Sequence, residues 1–155
     1  ADGDVDALCH AAVPKCFVQG HPIVDRLFAD SRKAERAYYS KRGIFPIMHV
    51  VGIRKSLLQE HPEVAKAVFN AFSESKKLDY QYMLKLGWAY DSLPWYTQEM
   101  ESTVELMGDN FWPYGIEPNR KTLETLFRYS CDQGLAQKEL SINEMFAAST
   151  LNFQE

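Results

Sequence analysis

The run Ile44-Phe45-Pro46-Ile47-Met48-His49-Val50-Val51-Gly52-Ile53 is the most apolar stretch of the chain and constrains its fold more than any other feature. It is rich in β-branched residues and too short for a typical helix. Apolar residues on both odd and even positions predict a strand buried on both faces, the pattern of a central strand in an α/β sheet. Pro46 belongs at its start, because proline has no N–H to give to a central ladder. Alternation across the sheet then places Ile47, His49, Val51 and Ile53 on one face and Met48, Val50, Gly52 and Arg54 on the other. His49 is the one ionisable group well inside the run, and Arg54 follows it directly.

Around this strand the pattern alternates between sheet and helix. Residues 5–13, preceded by Gly3 and stopped by Pro14, read as a second buried strand running into a polar, turn-prone loop over 14–22. Ser31 offers a cap to a helix carrying Ala34, Ala37 and Tyr38 on one side and ending at Gly43. Pro62 suits the first turn of a long helix whose apolar stripe is Val64, Ala65, Val68, Phe69 and Phe72, continuing through Leu78 and Tyr82 towards Lys85 and Gly87. A turn over 91–94 precedes a helix to Met107, which Gly108 terminates. Residues 110–115 form an aromatic loop, and Pro118 opens a helix with Leu123, Leu126 and Phe127 inside and Gly134 at its close. Ser141 and Glu144 fit a capping box. The fold class is α/β, helix-rich towards the C-terminus.

Composition bounds the rest. At 155 residues, 46% apolar and 25% charged, the chain has the make-up of one globular domain, with 13% aromatic residues to fill a core. Its 17 Lys and Arg against 21 Asp and Glu leave no basic footprint for a phosphate backbone, which argues against nucleic acid as a partner. No apolar run approaches the roughly 18 residues of a membrane span, and the acidic opening residues do not resemble a secretory signal. A soluble, cytoplasmic setting is expected, or a periplasmic one if a longer parent carries a signal. The chain opens without Met and reads as a piece of something longer. Cys9, Cys16 and Cys131 are odd in number and form neither a C-x-x-C pair nor a zinc-like cluster, so free, buried thiols are expected and no metal site.

Several residues are candidates for chemistry. His49 titrates near physiological pH and suits proton transfer, against the alternative of a core histidine bonded to a carbonyl. Arg54 offers a planar fork of donors to a carboxylate, against the alternative of an exposed charge at a helix entry. His10, Lys15 and Cys16 flank the exit of the first strand, where open α/β sheets place ligand contacts. Cys16 has no nucleophile signature around it. His21-Pro22 and His61-Pro62 read as turn or helix entries. Trp88, Tyr90, Trp95, Tyr96, Phe111, Trp112 and Tyr114 can line an aromatic pocket or, more commonly, pack between helices. Phosphate loops, H-E-x-x-H, G-x-S-x-G and EF-hand patterns do not occur.

Four stretches together carry a family resemblance: Gly3-Asp4-Val5-Asp6-Ala7-Leu8, the loop ending Gly20-His21-Pro22, the segment from Ala37-Tyr38-Tyr39 through Gly43-Ile44-Phe45-Pro46-Ile47-Met48-His49, and Phe111-Trp112-Pro113-Tyr114-Gly115. They resemble the 4,5-dihydroxyphthalate decarboxylases, bacterial enzymes of aromatic catabolism similar in turn to the substrate-binding proteins of ABC transporters. The resemblance covers nearly the whole chain but only the C-terminal part of the longer family sequence. It implies a two-lobed fold of the type II periplasmic-binding-protein kind. Residues 1–43 would end the second lobe and cross over, and residues 44–155 would return to the first lobe and add the C-terminal helices. His10, Lys15 and Cys16, and His49 and Arg54, would then lie near the hinge.

The implied reaction is loss of carbon dioxide from a dihydroxylated aromatic dicarboxylate. The electron pair left on the ring carbon must be stabilised and that carbon protonated. Arg54 or Lys15 would hold a carboxylate, with Cys16 beside the substrate, and His49 or His10 would give the proton. The residues name no cofactor. A small aromatic carboxylate is the expected partner, and exposed sheet edges would favour pairing with a second copy. The competing reading is a solute-binding protein of a transporter, which shares the two-lobed cleft. A cleft between lobes needs both lobes, so the 155 residues alone are expected to show little turnover.

Overall fold

The computed structural model describes residues 3–85 and 92–155, which group into two compact units, Ala1–Arg42 and Gly43–Glu155. The first holds α1 (Lys15–Val18) and α2 (Ser31–Arg42). Asp30 caps α2, accepting the Lys33 N–H on its carboxylate at 2.9 Å, one residue before the expected Ser31. Gly43, at φ 61°, ends the helix where the sequence places the stop. None of the unit's described residues is buried, and Leu27 and Ile23 are 90% and 74% exposed. Within it the Arg26 guanidinium lies 5.0 Å from the Phe17 ring centroid.

The second unit contains α3 (Lys55–Glu60), α4 (Glu63–Lys85), α5 (Tyr96–Met107), α6 (Arg120–Asp132) and α7 (Ile142–Met145), with short 3-10 turns at Glu117–Asn119 and Ala148–Thr150. Its core joins α6 and α7. Leu123 and Phe127 of α6 close on Ile116 and Ile142, all 4–6% exposed, and Ile47, Leu140, Phe146 and Leu151 pack around them. Leu126, expected inside, is half exposed. The turn at Ser141 works as the sequence predicts: its N–H and its hydroxyl both donate to Glu144 Oε2 at 2.9 Å.

The helix expectations are met in place, but α4 is turned about its axis. Val64, Ala65, Val68, Phe69, Ser73, Lys76, Tyr80 and Met83 are buried or half-buried, while Phe72, Leu78 and Tyr82 are 50–57% exposed. The covered stripe thus runs through a serine and a lysine. The end expected at Gly87 lies outside the described residues.

The sheet expected from the sequence does not form. Among the described residues the one β-type pairing is an isolated antiparallel bridge between Gly115 and Gln154. Residues 5–13 and 44–53 carry no strand: Val5, Leu8 and Val13 are 58–71% exposed, and Met48, Val50 and Val51 are 60–67% exposed. A strand satisfies its backbone only through a neighbour, and no second strand stands beside either run. A helix closes its hydrogen bonds within itself, which is why the helical expectations survive where the strand ones do not. The three cysteines are free but not buried; Cys9 is exposed and Cys16 and Cys131 are half-buried.

Candidate functional site

In the first unit, His10 lies in an exposed turn, its Nδ1 accepting the Ala12 N–H at 3.0 Å. Lys15 opens α1 and is exposed; Cys16 follows and is half-buried. The Cys16 carbonyl accepts the His21 N–H at 3.0 Å, and His21 Nδ1 is buried without a partner among the described residues. A buried ring nitrogen of that kind is the one local sign of unmet polarity here, at a residue the sequence marks only as a turn entry.

In the second unit, His49 is exposed in the non-helical run, and Arg54 stands immediately before α3 with extended backbone, φ −58° and ψ 131°. The Arg54 carbonyl accepts the Leu58 N–H at 3.2 Å, which places Arg54 at the entry to α3. Neither side chain bonds to another described residue. Both are thus open to solvent and to a ligand.

The second unit also contains a polar junction that the sequence does not announce. Lys76, on the covered face of α4, donates from Nζ to Asn110 Oδ1 at 2.8 Å, to the Trp112 carbonyl at 2.9 Å and to the Glu155 carboxylate. Glu155 Oε2 also accepts Asn110 Nδ2 at 3.0 Å and the Tyr114 N–H at 3.2 Å. Tyr80 OH accepts the Trp112 N–H at 3.2 Å, and the Tyr80 ring stacks on Phe111 with centroids 4.7 Å apart. Lys76 Nζ lies 4.5 Å from the centre of the Tyr114 ring, and Trp112 meets Phe45 edge-on at 5.1 Å. Gly115 completes the closure. At φ 101°, any side chain there would put its Cβ 2.5 Å from the Phe153 carbonyl oxygen.

The electrostatics follow from this geometry. Burial alone would raise the Glu155 carboxyl; the Lys76 ammonium, the Tyr114 N–H and the Asn110 amide outweigh it and hold it below the usual carboxylate range. Burial pushes the Tyr80 hydroxyl up to about 12. An ammonium has three N–H donors, and Lys76 spends them on three acceptors. This cation is therefore a structural tie and offers nothing further to a substrate carboxylate. Phe111, Trp112 and Tyr114 serve as packing against α4 and the C-terminal residues. Trp95 is 70% exposed, and Trp88 and Tyr90 lie outside the described residues. The sequence distances explain why the junction is hidden: Lys76 meets partners 34, 36 and 79 residues away. The available signal is a lysine in register with Phe69 and Tyr80 on one helical face.

Two open grooves belong to the second unit. One of about 440 Å³ lies between α6 and the residues entering α7, lined by Arg120, Glu124, Glu139 and Glu144 among others. Its charges are largely committed: Arg120 pairs with Glu117 and with Glu124, and Glu144 meets Lys138 at 2.5 Å. Three carboxylates against one guanidinium do not suit an anionic ligand. The other, about 350 Å³, is lined by Lys66, Phe69, Asn70 and residues 152–154. No group of three or more His, Cys, Asp or Glu residues among the described ones is placed to hold a metal ion. No helix among them is long and apolar enough to cross a membrane.

Comparison with known proteins adds one relationship. No protein-family model matches the chain. Over 151 residues it is 33% identical to 4,5-dihydroxyphthalate decarboxylase of Comamonas testosteroni, a match covering 97% of this chain and 46% of the relative. The chain is a homologue of that decarboxylase. It spans about half the relative's length, and the residues of the second unit, including His49, Arg54 and the Lys76 junction, fall within a chain matched almost end to end.

Proposed function

We propose that this chain contributes to the decarboxylation of a dihydroxylated aromatic dicarboxylate of the 4,5-dihydroxyphthalate kind, supplying part of a cleft in an α/β fold of the type II periplasmic-binding-protein kind. The observation that carries this reading is the near end-to-end match to a protein of that name. Arg54, exposed and with its guanidinium uncommitted, is the carboxylate anchor in the second unit. His49, with no bond to another described residue, is the proton donor to the ring carbon. In the reaction the bond from ring carbon to carboxylate breaks, carbon dioxide leaves, and the electron pair left behind takes up a proton. Ring hydroxyls make that carbon more basic. In the first unit, Lys15 has the charge to hold a carboxylate, His10 the chemistry of a proton donor, and Cys16 follows Lys15 in α1 as a substrate-binding candidate.

The test is a screen of aromatic di-acids, beginning with 4,5-dihydroxyphthalate, that reads binding and released carbon dioxide together on the longest polypeptide carrying this sequence. Release of carbon dioxide that falls about 100-fold or more in His49→Gln supports the assignment. Arg54→Met is expected to raise KM more than it lowers kcat. Binding without release would overturn decarboxylation, and unchanged turnover in His49→Gln would remove that imidazole from the mechanism.

A further inference from the structure

Trp112 is held by both of its backbone groups. Its N–H donates to the Tyr80 hydroxyl at 3.2 Å, its carbonyl accepts from Lys76 Nζ at 2.9 Å, and both partners stand on the covered face of α4. The residues after it are tied as well. The Asn119 amide donates to the Pro113 carbonyl at 2.7 Å and to the Gly115 carbonyl at 2.9 Å, and the Tyr114 N–H donates to Glu155 at 3.2 Å. A backbone fixed in this way leaves the indole little freedom beyond its own side-chain torsions. That indole meets Phe45 edge-on, with 5.1 Å between ring centres, a geometry that aromatic pairs favour. Phe45 sits between Ile44, which is buried, and Ile47, which packs on the cluster around Leu123 and Phe127. From 46 to 53 the backbone makes no hydrogen bond to another described residue, so the side-chain contacts at 44, 45 and 47 set the direction in which the chain runs on to His49.

We propose that Trp112 is a positioning residue: through Phe45 it fixes the segment that presents His49, and beyond it Arg54. That role rests on the reading of His49 as the proton donor and Arg54 as the carboxylate anchor. The chain connects the two groups to the ring pair unequally. His49 follows Phe45 by four residues, whereas Arg54 follows it by nine and stands at the entry to α3, which adds a hold of its own. Loosening the ring pair should therefore disturb proton transfer more than carboxylate binding. A displaced donor lowers kcat, because proton transfer depends steeply on the geometry of the reacting atoms, while an anchor left nearly in place keeps KM.

The experiment reads order and turnover separately. On this chain, 15N relaxation is compared between the native protein, Trp112→Ala, Phe45→Ala and Trp112→Phe. Order parameters for 45–49 are expected near about 0.85 in the native protein and in Trp112→Phe, and below about 0.6 in the two alanine variants. Those of α6 should stay high throughout, which shows that each variant folds; should Trp112→Ala fail this check, Phe45→Ala decides. On the longest polypeptide carrying this sequence, release of carbon dioxide from 4,5-dihydroxyphthalate gives kcat and KM. Each alanine variant is expected to lose about tenfold or more in kcat with KM within about threefold, and Trp112→Phe to recover most of the loss. Order at 45–49 that survives removal of either ring would overturn the proposal. So would lost order with kcat unchanged, or a loss in kcat that Trp112→Phe does not restore. A native polypeptide that binds the di-acid and releases no carbon dioxide would instead end the decarboxylation reading and the proton-donor role with it, while the order parameters still decide whether Trp112 holds the segment.

Discussion

Two parts of the second unit handle the same kind of side chain in opposite ways. Around α6 and α7, Ile116, Leu123, Phe127 and Ile142 are driven down to 4–6% exposure, whereas Met48, Val50 and Val51 remain at 60–67%. Hydrophobicity does not separate the two groups. Backbone chemistry does: a helix meets its own hydrogen-bond needs and has only a stripe to cover, while an extended run needs a neighbour for its backbone and cover for two faces. The first can be completed inside this chain. The second has no neighbouring strand among the described residues.

The sharpest test of that contrast is a pair of truncations. Phe127→Ala is expected to cost about 3–5 kcal/mol of unfolding free energy in urea, because it opens a cavity in the covered cluster. Val51→Ala should stay within about 0.5 kcal/mol. Comparable losses at both sites would erase the distinction. Next in size is Lys76→Met, which leaves the Glu155 carboxylate without its cation while keeping the stem; a loss of about 2–3 kcal/mol is expected by the same measurement. Tyr80→Phe removes the acceptor of the Trp112 N–H and should cost about 1 kcal/mol. It should also delete the tyrosinate absorbance step near pH 12 that burial gives Tyr80 in the folded chain.

The smallest effect concerns acid. Lys138 first, then the Ser141 N–H and hydroxyl, hold the exposed Glu144 carboxyl at about 2, against 4.5 when unfolded. A depressed carboxyl contributes stability that is fully present above about pH 4.5 and is lost as pH falls through about 2. The difference in melting temperature between the native chain and Glu144→Gln should therefore shrink across that window, and a constant difference would show that the capping contacts contribute nothing through charge.

Much of the helical organisation was readable in the residues because its signals are local. Gly43, Gly108 and Gly134 stop helices where expected, all at positive φ, and Ser141 with Glu144 builds the expected start of α7. The phase of α4 was not readable: Phe72, Leu78 and Tyr82 are more apolar than Ser73 and Lys76, yet the latter face inward. The reason lies at the far end of the chain, since Lys76 gains a carboxylate, a carbonyl and an amide only when residues 110–115 and 155 arrive. Of the candidate site, His49 and Arg54 are exposed, whereas the sequence reading sets His49 inside a strand buried on both faces. The buried, unpartnered Nδ1 of His21 is an addition that its turn-like setting conceals.

By itself the sequence determined where most of the longer helices begin and end, and the kinship with 4,5-dihydroxyphthalate decarboxylase, because each of these is written in neighbouring residues or in the whole string. Only the tertiary structure decided which face of α4 is covered, that Lys76 is already spent on three acceptors, and that residues 48–52 stand bare. Those outcomes depend on partners dozens of residues away, or on a strand these residues do not themselves provide, and no local pattern encodes them.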